Sequence, residues 1–378
     1  MNVRLTALST ADGNPAVIAP YYDKGGDTYT ALVAPQSVAM GTAFITCAFT
    51  NGKVFVYKMQ KAAEWKAGEE YTYTVSLAAA EDPGYTVSED GKTYNVTSAD
   101  GLLAWNEAVQ KDMTLNCTLA DNIDLTGKDW TPIGTSFGNS YTGTFDGNGK
   151  TITGLTVTGS DRYTGLFGFI KGTVKNVVLT EINITSGTFV GGVAGWSFGG
   201  NIENCSVSGS VSGSDVGGVV GYQQGGSITG CSSSATVKGT QRAGGVAGAT
   251  NSGATLTACY ATGDVTVEND GPNNACAGGV VGSNAYSTVI ACYAAGNVSG
   301  TGSGTIHVGG VVGENYATVT ACYWSGLPDN DNGGATKVDG TTVTWQNAVD
   351  AMNAALSGKG WQYELKDGNS LPALKKEQ

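Results

Sequence analysis

Five times between Gly191 and Tyr323 the chain writes Gly-Gly-Val-x-Gly, then about ten residues later a Cys behind a small or polar residue. The copies are Gly191–Gly195 with Cys205, Gly217–Gly221 with Cys231, Gly244–Gly248 with Cys259, Gly278–Gly282 with Cys292, and Gly309–Gly313 with Cys322. A degenerate copy precedes them, Gly165-Leu166-Phe167-Gly168 with Val177 in place of the Cys. A period of roughly 26 to 34 residues is that of a solenoid. A single unit of this size has no core of its own, so stacking has to supply one.

Aligned, the copies yield columns. Ile202, Ile228, Leu256, Val289 and Val319 form one; the five Cys form another three positions later; Val211, Val237, Val265 and Val298 form a third. Val193, Val219, Val246, Val280 and Val311 follow the Gly pairs. With coils about 4.8 Å apart, each column becomes an apolar ladder along the axis. The Gly residues suit corners where a Cβ would clash or φ must be positive. The Cys column has two readings: small buried hydrophobes, or disulfides between neighbouring coils, since coil spacing lies within the Cα–Cα range of a disulfide.

Composition narrows the function. The 378 residues carry a net charge of −12, only 14 % charged side chains, 58 Gly and 8 Pro. Low charge and abundant turn residues fit an all-β extracellular protein rather than a disordered one. From Asn176 to Tyr323 the only cationic side chains are Lys238 and Arg242. Such a surface cannot replace the counterions of a phosphate backbone, so no nucleic-acid partner is expected. No apolar run is long enough for a membrane span. Met1-Asn2-Val3-Arg4 has no apolar signal core, so either an export segment is missing from this numbering or the protein stays inside; the remaining pattern favours export.

Three regions are expected. Residues 1–80 hold short β runs, Val3–Leu8, Tyr29–Val33, Ala43–Phe49, Lys53–Met59 and Tyr71–Leu77, punctuated by turns such as Lys24–Asp27 and Asn51-Gly52, as in a small β-sandwich. Pro35-Gln36, the hairpin Phe44–Tyr57 and the tail Trp65–Val75 resemble the C-terminal half of a fimbrillin-like domain, a family of pilus and surface proteins of Bacteroides-type bacteria. Ala78–Pro83 reads as a linker. Residues 84–325 hold the solenoid, opened by a capping helix over Ser98–Val109. Residues 326–378 form a C-terminal cap with a helix over Trp345–Leu356.

Asn122–Leu125, Trp130–Gly134, Tyr141–Gly149 and the repeats resemble the GLUG-repeat proteins, with Cys259-Tyr260-Ala261-Thr262-Gly263 and Cys292-Tyr293-Ala294-Ala295-Gly296 close to that unit's tail. The resemblance implies a right-handed parallel β-helix, an architecture the period alone leaves open against other solenoids. The expected fold class is all-β: an N-terminal sandwich, then a parallel β-helix with short helical caps.

No catalytic residue, metal site or cofactor is expected. The acids Glu181, Glu203, Asp215, Asp264, Glu268, Asp270 and Glu314 share no repeat position, whereas a glycosidase pairs two carboxylates. Some GLUG-bearing proteins are metallopeptidases that cleave immunoglobulin A, but His-Glu-x-x-His is impossible with His307 as the single His. Asp329–Gly334 reads as an Asx turn or a partial calcium loop.

The candidate ligand-binding residues are Tyr260, Tyr293 and Tyr323, which follow inward Cys residues and so point outward, with Trp324 beside the last. Trp196, Phe198, Tyr222, Tyr286 and Tyr316 form a second aromatic set. The functional expectation is a non-enzymatic, adhesin-like bacterial surface protein that binds glycans or matrix and host proteins through the β-helix face. A carbohydrate-active β-helix lyase or hydrolase, and a structural spacer, remain the alternatives.

Overall fold

The computed structural model describes residues 3–8, 21–23, 28–31, 35–49, 54–73, 82–329, 331, 333–366 and 370–377. The chain divides into two compact units, Met1–Trp105 and Asn106–Gln378. It is an all-β protein with a parallel β-solenoid of about seven turns and, among the described residues, two short helices.

In the first unit Val3–Leu8, Ala43–Phe49 and Val54–Lys58 form an antiparallel sheet, and Gln36–Val38 pairs with Ala63–Trp65 in another. Ile45 and Tyr57 from the first pack against Val38, Met59 and Trp65, giving the small sandwich its core. The expected hairpin is present, with Ala48 opposite Val54. Its Asn51-Gly52 turn, the Lys24–Asp27 turn and most of the Ala78–Pro83 linker lie outside the described residues. Tyr71–Tyr73 is not strand. These tyrosines turn back instead: the Trp65 indole N–H donates to Tyr73 Oη at 2.9 Å, and Tyr71 Oη accepts from the Lys66 amide and donates to Glu69. Helix α1, Ala99–Val109, starts where its cap predicts, with the Gly101 amide donating to Ser98 Oγ. Its last turn is tied to the first coil: Asn106 Nδ2 donates to the Thr131 carbonyl and Gln110 Nε2 to that of Pro132.

The ladders are in the register the repeats imply. One column runs Cys117, Phe145, Val174, Ile202, Ile228, Leu256, Val289, Val319 through consecutive parallel pairings. Val211, Val237, Val265 and Val298 form another. The valines after the Gly pairs are fully buried and linked coil to coil, each amide donating to the next valine's carbonyl at 2.9–3.0 Å. Each buried Val or Ile is worth about 1.5–3 kcal/mol, and this repeated gain is the source of the rod's stability.

The glycines and the left-handed corners are separate devices. None of the Gly-Gly-Val-x-Gly glycines has φ in the left-handed region; a Cβ on them would strike atoms of the same or the neighbouring coil, at 1.9 Å from the Val312 carbonyl oxygen for Gly309 and 2.2 Å from the Gly279 carbonyl oxygen for Gly245. Positive φ falls instead on the residue before each Cys or its equivalent: Asn148, Asn176, Asn204, Gly230, Ala258, Ala291 and Ala321, between +50° and +65°. Asn is the non-Gly residue that best tolerates this conformation. Asn204 Nδ2 donates to Asn176 Oδ1, and Asn176 Nδ2 to Asp146 Oδ1. Ala258 and Ala291, which take the place of Asn, are buried against the C-terminal segment.

All eight Cys are free and buried. Each repeat thiol donates to the carbonyl two residues back, at 3.3–3.5 Å, and approaches a carbonyl of the preceding coil at 3.5–4.0 Å. Burial pushes the Cys231 and Cys292 thiols well up. The column is a ladder of small buried hydrophobes.

Candidate functional site

The predicted tyrosine strip exists as a stack. Ser206, Ser232, Tyr260, Tyr293, Tyr323 and Thr336 occupy one outward column. The Tyr260 and Tyr293 rings lie 4.9 Å apart and 3° from parallel. The stack is not an open strip, however. Helix α2, Trp345–Leu356, and the hairpin of Trp361–Glu364 with Ala373–Lys376 lie along this flank. Ala258, Ala291 and Tyr293 form one buried cluster with Val349, Met352, Trp361 and Tyr363. Tyr293 is only 1 % exposed; its hydroxyl donates to the Pro372 carbonyl at 2.7 Å, and Tyr363 Oη donates to that of Ala291. The column of Ala and Tyr makes an apolar flank, and covering it is the work of the C-terminal segment.

Trp324 departs from its expected place. Alternation puts it in the inward column of Ser233, Ala261 and Ala294, where it is buried and its indole N–H donates to the Pro328 carbonyl. It fills the last coil against Gly310, whose Cβ would lie 2.3 Å from the indole. Tyr323 stays half-buried, in register between Tyr293 and Thr336.

At Tyr260 the stack ends, and a pocket begins. Tyr293 covers one ring face; on the other side the next rungs of the column carry only Ser232 and Ser206. The cavity, about 160 Å³, is lined by Tyr260, Trp361, Leu374, Asn176, Asn204, Ser206, Gly230 and Ser232, together with Gly149, Val178 and Cys205. Gly230 is required beneath Trp361, because a Cβ there would sit 2.2 Å from the indole ring. Lys376 lies 5.2 Å above the Trp361 ring and pairs with Glu203 at 2.9 Å, tying the hairpin to the coil. The Asn204 amide nitrogen is engaged with Asn176, which leaves its carbonyl oxygen to accept. Among the described residues the Ser206 and Ser232 hydroxyls bond no protein group. Two aromatic walls and hydroxyl-matching polar groups thus converge. The volume falls below the ~300–1,000 Å³ of drug-sized pockets, so one ring fits, not a chain.

Of these residues only Tyr260 was expected. Ser206 and Ser232 were legible in the repeat alignment as the two copies where Ser replaces Tyr after the Cys. Trp361 was not, because its docking is non-local.

The second aromatic set divides. Phe169, Trp196 and Tyr222 stack rung on rung, at 6.0 and 4.3 Å between centroids. Phe198 contacts Phe137 at 5.1 Å. Tyr286 and Tyr316 are 77 % and 66 % exposed and make none of these ring contacts.

The scattered acids stay scattered. Glu203 pairs with Lys376, Asp215 with Arg242 and Glu268 with Lys238, while Asp264 accepts from the Asn297 amide. Asp331 receives four backbone amides, from Val311, Val312, Gly333 and Ala335, so its lone pairs anchor a turn. Asn330 and Asn332 of the same stretch lie outside the described residues. Among the described residues no three His, Cys, Asp or Glu cluster as a metal site, and no helix is long and apolar enough to cross a membrane.

Residues 2–89 match the fimbrillin-like family model, and residues 186–212 and 212–238 match the GLUG motif. The chain joins a fimbrillin-like region to a GLUG-motif solenoid. The chain is similar to halomucin of Haloquadratum walsbyi (strain DSM 16790 / HBSQ001), 31 % identical over 240 residues, a match that covers 54 % of this chain and 2 % of halomucin. This chain therefore spans a very small part of that relative. A crystal structure of a candidate immunoglobulin A1 protease from Bacteroides ovatus superposes with a TM-score of 0.61 at 20 % identity, over 76 % of this chain and 93 % of that one. At that identity the likeness is one of fold.

Proposed function

We propose that this fimbrillin-like, GLUG-motif protein is a non-enzymatic, extracellular, adhesin-like surface protein that binds the terminal sugar of a glycan in the Tyr260–Trp361 pocket. The observation that carries the reading is the open ring face of Tyr260, left where the outward column changes from Tyr to Ser. Pyranose rings present C–H faces to aromatic rings and hydroxyls at their rim. Tyr260 and Trp361 offer the former a wall, and Asn204 Oδ1, Ser206 Oγ and Ser232 Oγ offer the latter partners. A surface location is consistent with both matched families, and with a composition poor in charge. The repeat acids share no repeat position along the sequence, which favours binding over hydrolysis.

The test is an array of neutral glycans probed with the whole chain, followed by titration of the strongest binder against Tyr260→Ser. Removing the stacking face should cost about 1–1.5 kcal/mol, close to tenfold in affinity, with an unchanged circular dichroism spectrum. Equal affinity of the variant would move the site elsewhere. A blank array would remove the glycan reading.

A further inference from the structure

The other aromatic surface carries a different signature. Between Thr151 and Thr336 the chain has five cationic side chains: Arg162, Lys171, Lys175, Lys238 and Arg242. Three of them pair with carboxylates, Lys175 with Asp146, Lys238 with Glu268, and Arg242 with the buried Asp215 through two hydrogen bonds of 2.7 and 2.9 Å. The other two have no carboxylate partner among the described residues, and both stand on aromatic rings. Arg162 lies 5.4 Å from the Tyr163 ring centroid and 5.8 Å from that of Phe189. Lys171 Nζ lies 3.5 Å from the Phe137 centroid and also donates to the Phe137 carbonyl.

The rings form one continuous row. Tyr163 meets Phe169 at 5.3 Å, Phe169 meets Phe137 at 6.4 Å, and Phe137 meets Phe198 at 5.1 Å. Phe137 is 57 % exposed, and Tyr163 and Phe198 are partly buried. A protein of net charge −12 thus keeps two positive charges on one aromatic row, Arg162 at its Tyr163 end and Lys171 on Phe137.

We infer that this row binds an acidic polysaccharide, its sugar rings against Phe137, Tyr163 and Phe198 and its carboxylate or sulfate groups on Arg162 and Lys171. A cation on a ring face keeps its full charge and is partly desolvated, which strengthens a charge-assisted hydrogen bond to an incoming anion. An extended peptide fits less well. The strands beneath, Phe167–Ile170, Ala194–Phe198 and Val220–Gln224, are bonded to neighbours in sequence along the sheet, so the central one offers no edge for strand addition.

The surface is distinct from the Tyr260 pocket and the two are separable by experiment. The full chain and the double variant Arg162→Gln/Lys171→Gln would be titrated with dextran sulfate, polygalacturonate, neutral dextran and polyglutamate. Wild type should bind one or both acidic polysaccharides and weaken as salt rises, since exposed charge contacts are screened. The double variant should lose about tenfold or more for them, with its Tyr260-pocket ligand and its melting temperature unchanged. Sulfate and carboxylate sources are told apart by which of the two acidic polymers is retained. Neutral dextran binding as well as dextran sulfate would overturn the proposal, as would indifference of the double variant or polyglutamate binding as tightly as the polysaccharides. None of those outcomes bears on the Tyr260 pocket.

Discussion

Gly279→Ala should destabilise the solenoid by about 3 kcal/mol or more, the upper range for overpacking, although it adds a single methyl group. The new Cβ would lie 2.2 Å from the Gly310 carbonyl oxygen and 2.4 Å from the Ala294 Cβ. Neither neighbour is the end of a flexible side chain. Relief requires two coils to separate, and every ladder crossing that corner then lengthens. Gly253 is the control: its φ is +77° and nothing lies within 4 Å of a built Cβ. Gly253→Ala should cost only the left-handed penalty of about 1–2 kcal/mol. Chemical denaturation of the two variants checks this. Equal losses would show that the repeat glycines serve backbone conformation rather than close approach.

Tyr293→Ala should cost about 3–5 kcal/mol, as large-to-small changes of buried aromatics do, and should loosen the C-terminal segment in particular. Tyr293 is the point where the column meets its cover. Its ring stacks on Tyr260, meets Trp345 and Tyr363 edge to face at 5.2 and 5.7 Å, and its hydroxyl reaches Pro372. Burial pushes that phenol far up, so it stays a neutral donor. Tyr293→Phe should lose far less, near the 1–3 kcal/mol of one unsatisfied acceptor. Limited proteolysis beside thermal melting reads both effects: in the Ala variant cleavage should appear first beyond Val343. An Ala variant that melts like wild type would mean that this ring is not what holds the cover.

How far the sequence could be read depended on whether a feature repeats. Ile202, Ile228, Leu256 and Val289 recur at a fixed offset, so their stacking was legible before any coordinate. The Cys column was placed correctly for the same reason, although its free thiols are settled only by the carbonyls each sulfur meets. Alternation sent Tyr260 outward as expected. It also sends Trp324, one residue past Tyr323, inward, so placing both on one strip ran against the strand's own period. What escaped was non-local. Nothing in Trp345–Leu356 says which flank it covers, and Tyr293 changes from a displayed ring to a core residue only once that helix is docked. The mark it leaves in sequence is indirect: Ala258 and Ala291 at positions where Asn148, Asn176 and Asn204 stand on the uncovered coils.

The Tyr-to-Ser change along the outward column is the origin of the pocket, and Ser232→Tyr reverses it. The new ring would extend the stack by one rung and occupy the space between Tyr260 and Trp361. Titration of the strongest neutral glycan against this variant, with its melting temperature recorded alongside, is the most direct measurement. The account predicts that binding disappears while stability holds or rises, because another aromatic pair joins the ladder. Undiminished binding by a folded Ser232→Tyr protein would contradict it.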